Sequence, residues 1–301
     1  MKISASGNVV SLSRISHVLR ESGLKQTVRK SLRTASRYGF SNRKMENNIQ
    51  TFVDICRSHD AQGCTLFIPG IVLRREGEFI GGLQSFAELG LHGLKHIHYD
   101  ELSYDDQVRD FREGWGVLDS FGIKNGRIFR APYGRANNET FRALKECGCG
   151  IDSSKTHIWD VLTTDNRLYA KALEWYAPAT SPTPYLENGV LEVPFSLPDD
   201  EMLIDRLNLP AEKVASAWKR IVTKAAETDQ LFVLQLHPNR IRALKGALES
   251  VIREANERSM PIGSIGTISR LWKDVRGGRL RGGAVCITGD IDAMSAWGLL
   301  G

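Results

Sequence analysis

Two histidines four residues apart, His92 and His96, are side chains whose type and spacing suit metal binding. Neutral imidazoles are good ligands for Zn²⁺ and similar divalent ions, and two of them on one helical turn can face a single centre. The pair by itself predicts a metal only weakly. His98, two residues further on, is expected to point elsewhere.

Two more polar residues follow apolar runs that have the composition of buried strands. Arg130 begins the turn Arg130-Ala131-Pro132-Tyr133-Gly134, where it can hold a carboxylate while the turn presents backbone N–H groups. His237 comes directly after the run LFVLQL at 231–236. Alone, each has a simpler interpretation, a surface turn for the first and a packed histidine for the second. Together they indicate a catalytic site.

These residues must be positioned by a sheet, because short apolar runs alternate with amphipathic helical patterns along the chain. Such alternation predicts parallel strands in an α/β barrel or a doubly wound sheet, with the chemistry at the carboxyl ends of the strands. Helices are predicted at 45–57, 81–89, 103–121, 138–146, 211–228 and 243–258, and strands at 64–68, 126–130, 190–195 and 231–236.

Composition narrows the class of protein. The chain has 301 residues, 42% of them hydrophobic, and a net charge of +5. Five cysteines without regular spacing make a poor disulfide framework, and neither a secretory signal nor a membrane-spanning run is found, so we expect a cytoplasmic protein without stable membrane insertion. A basic helix is predicted between residues 15 and 38. It has no interleaved aromatic residues for stacking, so nucleic acid is not expected as a partner.

Four segments in order, CTLFIPG at 64–70, ELGLHGLKH at 88–96, FRAPYG at 129–134 and LQLHP at 234–238, resemble successive motifs of the polysaccharide deacetylase family. The resemblance covers about residues 45–272. It implies a distorted (β/α) barrel of about seven strands and a metal held by one aspartate and two histidines. We therefore expect a basic helical segment at 1–44 packed on a barrel at 45–301.

The family's first motif, a pair of carboxylates on the first strand, is missing from its usual place, because residues 38–43 contain none. The other end of the chain offers a substitute, since the apolar run from Gly283 ends in Asp290 and Asp292. Residues two apart on a strand point to the same face. We therefore predict a circularly permuted barrel whose strand 283–292 supplies the first motif. The alternative is a tail whose aspartates merely solvate a turn.

The resemblance assigns Asp292, His92 and His96 to a divalent metal, with Zn²⁺ expected and Co²⁺, Ni²⁺ or Mn²⁺ as alternatives. The catalytic residues that it implies are Asp290 as general base, Arg130 as the partner of that base, Tyr133 as an oxyanion donor through its backbone N–H, and His237 as general acid. The substrate-binding residues that we expect are Pro132, Gln235, Asp199 and Asp200.

A carboxylate should tune His237, and pattern alone does not identify it. Asp160, Asp199 and Asp200 are candidates, and we favour the last two because they follow the strand predicted at 190–195. An N-cap for the following helix explains them equally well.

The expected reaction is hydrolysis of an amide in an N-acyl amino sugar or sugar conjugate. Gln235 stands where family members place a leucine against the acetyl methyl group, so deformylation is as plausible as deacetylation. An allantoinase-like cyclic amide hydrolase and a non-catalytic barrel that binds sugar or phosphate remain alternatives. A homo-oligomer is left open.

Overall fold

The computed structural model describes residues 36–123, 127–162, 170, 173–174, 176–274, 280–296 and 298. Most of the predicted basic segment 1–44 lies outside these residues, and only 36–44 can be compared with the structure. Helices and strands alternate along the described chain, as the apolar patterns predict. The helices are α1 (Arg43–Ser58), α2 (Gly70–Gly82), α3 (Tyr104–Ser120), α4 (Asn138–Glu146), α5 (Ala211–Glu227), α6 (Ile241–Glu257) and α7 (Ile265–Asp274).

Most of the strands form one twisted sheet. All strands of the described residues, including the separate pair β5 and β8, are β1 (Cys64–Ile68), β2 (Ala87–Leu91), β3 (Ile128–Phe129), β4 (Ile151–Asp152), β5 (Thr156–Ile158), β6 (Tyr185–Glu187), β7 (Val190–Glu192), β8 (Phe195–Leu197), β9 (Leu231–Gln235), β10 (Ile262–Gly263) and β11 (Ala284–Asp290). Seven of them pair in parallel in the order β9-β11-β1-β2-β3-β4-β7.

The predicted α/β class with a parallel sheet is confirmed, but the pairing of the described strands does not close the predicted barrel of about seven strands. Two further strands join the sheet outside this order of seven: β10 pairs in parallel with β11, and β6 pairs antiparallel with β7. Strands β7 and β9, at the two ends of this order, do not pair with each other. The separate parallel pair β5–β8 lies beside β9, where Ser196 Oγ of β8 accepts a hydrogen bond from Val233 N at 3.1 Å. The barrel is therefore distorted.

The helix predicted at 81–89 is wrong. Helix α2 ends at Gly82, and residues 87–91 form β2, in parallel register with β1. Gly90 lies opposite Phe67, and a Cβ atom there would come within 2.8 Å of the Phe67 ring. Because β2 ends at Leu91, His92 and His96 project from a loop rather than from a helical turn.

The last strand, β11, is an interior strand of the sheet, next to its β9 end. It pairs with β1 on one side, where Phe67 is opposite Asp290, and with β9 on the other. All seven residues of β11 are buried. The ends of β1, β2 and β11 therefore meet at one edge. This adjacency is what the permutation hypothesis requires, and the permutation itself stays a hypothesis.

All five cysteines are buried and none forms a disulfide, as the irregular spacing predicts. No helix in the described part of the chain is long and apolar enough to cross a membrane.

The entry into β11 depends on Gly283. Its φ is +69°, and an added Cβ atom would lie 2.6 Å from the Ala225 carbonyl oxygen and closer still to that of Gln230. We expect Gly283→Ala to lower the free energy of unfolding by about 1–3 kcal/mol more than Gly282→Ala does. Gly282 has φ +77° with no atom within 4 Å of an added Cβ, so it controls for backbone strain alone. Urea unfolding measures both variants, and equal losses would contradict the packing argument.

Candidate metal and active site

Three side chains meet where β2 and β11 end. His92 and His96 follow β2, and Asp292 follows β11 by two residues. Asp292 Oδ1 lies 3.3 Å from His96 Nε2 and 3.8 Å from His92 Nε2. One ligand atom from each residue lies within 4.8 Å of the other two. The structure thus brings together the three predicted metal ligands.

The donor set fits a divalent cation. His92 Nδ1 lies 2.8 Å from the Arg130 carbonyl oxygen, which makes Nδ1 the protonated nitrogen and leaves the lone pair on Nε2. Burial lowers the pKa of His92 to about 4, so its ring is neutral at pH 7. Asp292 Oδ1 is a buried atom that accepts no hydrogen bond from the described residues. Burial opposes ionisation of Asp292, but the nearby imidazoles of His96, His237 and His92 together outweigh burial and lower the pKa of Asp292.

A second group of possible ligands, His98, Asp100 and Glu101, lies nearer the surface. Arg135 holds Asp100 through Nε at 2.8 Å and Nη2 at 2.7 Å, and His98 Nδ1 lies 3.0 Å from Glu101. Asp100 Oδ1, like Asp292 Oδ1, has no hydrogen-bond partner among the described residues. The cluster of His92, His96 and Asp292 is the better metal site because it is the more buried of the two.

Asp290 is fixed by donors on both of its oxygens. Arg130 Nη1 donates to Oδ1 and Gln235 Nε2 donates to Oδ2, each at 2.9 Å. Arg130 is held in turn by Thr288 and Ser153, and its guanidinium lies 4.3 Å from the Phe67 ring centre. Asp290 is only 3% exposed, so the idea of a carboxylate that merely solvates a turn is wrong for this residue.

His237 has a buried carboxylate partner. Its Nδ1 lies 2.8 Å from Asp200 Oδ1, and its backbone N–H donates to Asp200 Oδ2 at 2.9 Å. Arg240 also donates to Oδ2, at 3.2 Å. Burial lowers the pKa of His237, but the charge of Asp200, the hydrogen bond to it and the charge of Asp292 together raise this pKa to about 10. The ring is therefore an imidazolium at neutral pH, and its Nε2 is free to donate a proton.

The other two carboxylates proposed as tuning partners do not contact the ring. Asp160 is exposed. Asp199 accepts a hydrogen bond from Met202 N at 2.8 Å. Burial and the neighbouring Asp200 raise the pKa of Asp199 to about 7. Asp200, with His237 on Oδ1 and Arg240 on Oδ2, is a partner of the histidine rather than a group open to substrate.

A small cavity of about 60 Å³ lies among these groups. The predicted site residues that line it are His92, His96, Arg130, Tyr133, Asp199, Gln235, His237, Asp290 and Asp292. Pro132 and Asp200 are predicted site residues that do not line it. Tyr133 is 51% exposed and has a left-handed backbone, with φ 61° and ψ 8°. Its ring centre lies 4.4 Å from that of His96, so the aromatic side chain borders the opening.

Sequence reasoning missed several residues around this site. Tyr176 and Glu201 line the cavity, Arg240 braces Asp200, and Tyr38 donates to Asp292. Arg240 follows His237 by three residues, a spacing that could have pointed to it. The Tyr38 hydroxyl carries no local signal, because the resemblance implies carboxylates at residues 38–43 and not a tyrosine.

Comparison with known proteins supports the predicted resemblance. The polysaccharide deacetylase family model matches residues 40–151. A putative polysaccharide deacetylase from Mycobacterium smegmatis has a TM-score of 0.63 at 17% identity, with 90% of this chain and 89% of that chain covered. A probable polysaccharide deacetylase from Pseudomonas aeruginosa PAO1 has 0.58 at 18%, covering 75% and 72%. Puue allantoinase has 0.59 at 17%, covering 76% and 73%. No curated protein matches the chain.

The fold is thus that of the polysaccharide deacetylases, and the resemblance to this family is confirmed. At these identities the solved structures establish the fold alone. The family match ends at residue 151, so His237, Asp290 and Asp292 lie beyond it.

The high pKa of His237 depends on Asp200. We expect Asp200→Asn to bring the pKa of His237 from about 10 back toward or below 6.5, because burial and the Arg240 charge then lower this pKa against the Asp292 charge alone. The protonated ring of the wild type supplies stability that is present below pH 6.5 and is lost as the pH rises through about 10. NMR titration of the His237 ring measures the shift. Asp160→Asn is the control, and a His237 pKa that does not move in Asp200→Asn would refute the pairing.

Proposed function

We propose that this protein is a metal-dependent N-deacylase acting on an amino sugar or a sugar conjugate. One observation carries the proposal: Asp292 Oδ1, a buried atom with no hydrogen bond to any residue that the structure describes, faces the histidine pair in the cavity that Asp290 and His237 also line. A ligand group, a carboxylate base and a protonated acid in one cavity make up the set that metal-assisted amide hydrolysis requires.

His92, His96 and Asp292 would hold the divalent ion, with Zn²⁺ the expected ion and Co²⁺, Ni²⁺ or Mn²⁺ as alternatives. Such an ion, when bound, polarises the substrate carbonyl and lowers the pKa of a water molecule. Asp290 removes a proton from the attacking water. Arg130 and Gln235 hold the two oxygens of that carboxylate and so set the direction of its remaining lone pairs.

The leaving nitrogen must be protonated before the C–N bond breaks, and His237 is the donor. Asp200 and Arg240 orient its ring, so the proton on Nε2 is directed at the cavity. The Tyr133 backbone N–H stabilises the negative charge on the carbonyl oxygen. Water and amide then become a carboxylic acid and an amine. The environments keep acid and base distinct, because Arg130 neutralises Asp290 while Asp200 keeps His237 protonated.

The shape of the site suggests which part of the substrate enters. A cavity of about 60 Å³ has room for a small acyl group and not for a sugar ring. The sugar would therefore lie outside, beside the exposed ring of Tyr133. Both formyl and acetyl groups fit this description.

We also propose that the barrel is circularly permuted. In support, β11 lies between β1 and β9 and brings its two aspartates to the end of β2, although it is the last strand of the chain. Residues 38–43 offer no carboxylate in the usual position. Cyclic amide hydrolysis is a second candidate function, favoured by the structural likeness to Puue allantoinase.

Metal content tests the proposal directly. We expect one equivalent of divalent metal in the wild type and less than about a tenth of that in Asp292→Asn, with amide hydrolysis reduced by more than about 100-fold. Metal analysis is paired with assays of acetate and formate release from N-acyl hexosamines and of allantoin hydrolysis. Glu101→Gln, in the second ligand group, is the matched control and should change neither the metal content nor the rate of amide hydrolysis. Full metal content and activity in Asp292→Asn would remove the proposal, and hydrolysis of allantoin alone would favour the second candidate.

Gln235 bears on the choice of acyl group. Its Nε2 donates to Asp290, which leaves Oε1 as a buried acceptor without a partner. An acetyl methyl group packed against that oxygen would cost about 1–3 kcal/mol, whereas a formyl group leaves space for water. We expect Gln235→Leu to raise the ratio of acetate to formate release by about 10-fold. Losing the hydrogen bond to Asp290 slows both reactions, and the ratio of acetate to formate release cancels this common loss of activity. An unchanged ratio would contradict a role for Gln235 in selecting the acyl group.

A further inference from the structure

The short segment before α1 is bound to both sides of the site. Arg37 Nη1 donates to Asp205 Oδ2 at 2.8 Å, and Tyr38 Oη donates to Asp292 Oδ2 at 3.1 Å. The carbonyl oxygen of Gly39 accepts a hydrogen bond from Ala296 N at 2.8 Å. These three consecutive residues therefore connect the tail that follows β11 with the acidic cluster beside His237.

The two oxygens of Asp292 are in different situations because of this segment. Oδ2 has the Tyr38 hydroxyl as its donor, whereas Oδ1 accepts no hydrogen bond from the described residues and lies nearest to His92 and His96. Tyr38 is only 5% exposed, so this contact is shielded from bulk solvent. A carboxylate with one oxygen held in this way has a single oxygen to offer to a ligand.

On the opposite side the segment reaches His237 through a chain of ion pairs. Asp205 bridges Arg37 and Arg240, with Arg240 Nη2 at 2.6 Å from Asp205 Oδ2. Arg240 in turn holds Asp200, the partner of His237. The segment thus contacts the proposed metal ligand directly and the proposed acid through three residues, Asp205, Arg240 and Asp200.

We propose that Tyr38 is a positioning residue for the metal site: its hydroxyl holds Asp292 so that Oδ1 alone faces the ion, and residues 37–39 complete the active site from outside the barrel. This inference rests on the proposed function, since it assumes that Asp292 is a metal ligand. Outer-shell partners of metal ligands typically change metal affinity by about 10–100-fold when they are removed.

The test is the Tyr38→Phe variant of the full chain, which loses one oxygen atom. Both wild type and variant are stripped of metal, and their dissociation constants for Zn²⁺ are measured by competition with a chromophoric chelator. We expect affinity to fall about 10–100-fold and the visible absorption of the Co²⁺-loaded protein to change, because Asp292 is free to rotate. The matched control is Tyr104→Phe, which removes an exposed hydroxyl bonded to Glu146 and should leave both unchanged.

The outcomes separate this inference from the proposed function. If the wild type binds Zn²⁺ through Asp292 but Tyr38→Phe binds it equally well with the same Co²⁺ spectrum, the inference is overturned and the proposed function stands. If Asp292→Asn leaves the Zn²⁺ affinity of the protein unaltered, the proposed function fails first. Urea unfolding of the metal-free Tyr38→Phe protein completes the test, since a variant that has lost its fold would show that the hydroxyl serves the fold instead.

Discussion

The parallel pairing of β11 with β1 is the constraint on which the rest of the site depends. The ladder sets Phe67 opposite Asp290 and continues one residue further, where Ile291 N donates to the Phe67 carbonyl oxygen at 2.9 Å. Because β2 pairs with the other edge of β1, the end of β11 is held at a fixed distance from His92. A slip of one residue would turn both aspartates away from the histidines, since side chains alternate between the two faces of a strand.

Charges buried around the site are stable because each has an opposite charge or a set of donors. Removing an ion from water costs several kcal/mol, and close pairing offsets this cost only when the geometry is good. Arg130 meets this condition with Asp290, Thr288 and Ser153 around it, and Asp200 meets it with His237 and Arg240. Among the residues that line the cavity, Asp292 and Gln235 each carry a buried oxygen, Oδ1 and Oε1, that has no hydrogen-bond partner in the described part of the chain. Unpaired acceptors in such a place are the usual mark of a site that receives a ligand.

The parts of the fold that were predicted correctly have strong local patterns. The apolar run that forms β1 and the helical period of α6 predict their elements without knowledge of any neighbour. The helix predicted at 81–89 failed because residues 87–91 follow the register of β1, which local pattern does not encode. Tyr38 was missed for a related reason, since its partner Asp292 is 254 positions away in the chain. The division into 1–44 and 45–301 stays a prediction, although Tyr38 already contacts the barrel's last aspartate.

By itself the sequence determined the chemical inventory of this protein: an imidazole pair, an arginine at the end of a strand, a histidine at the end of another, and two aspartates at the end of a third. It also determined the alternation of strands and helices, because hydrophobic period is a local property. Only the tertiary structure decided that the last strand lies between the first and the ninth, that Asp200 rather than Asp160 holds His237, and that Tyr38 holds Asp292. The reason is physical. Those contacts join residues distant in the chain, and they are selected by the free energy of burying whole strands and pairing buried charges, which no short segment contains.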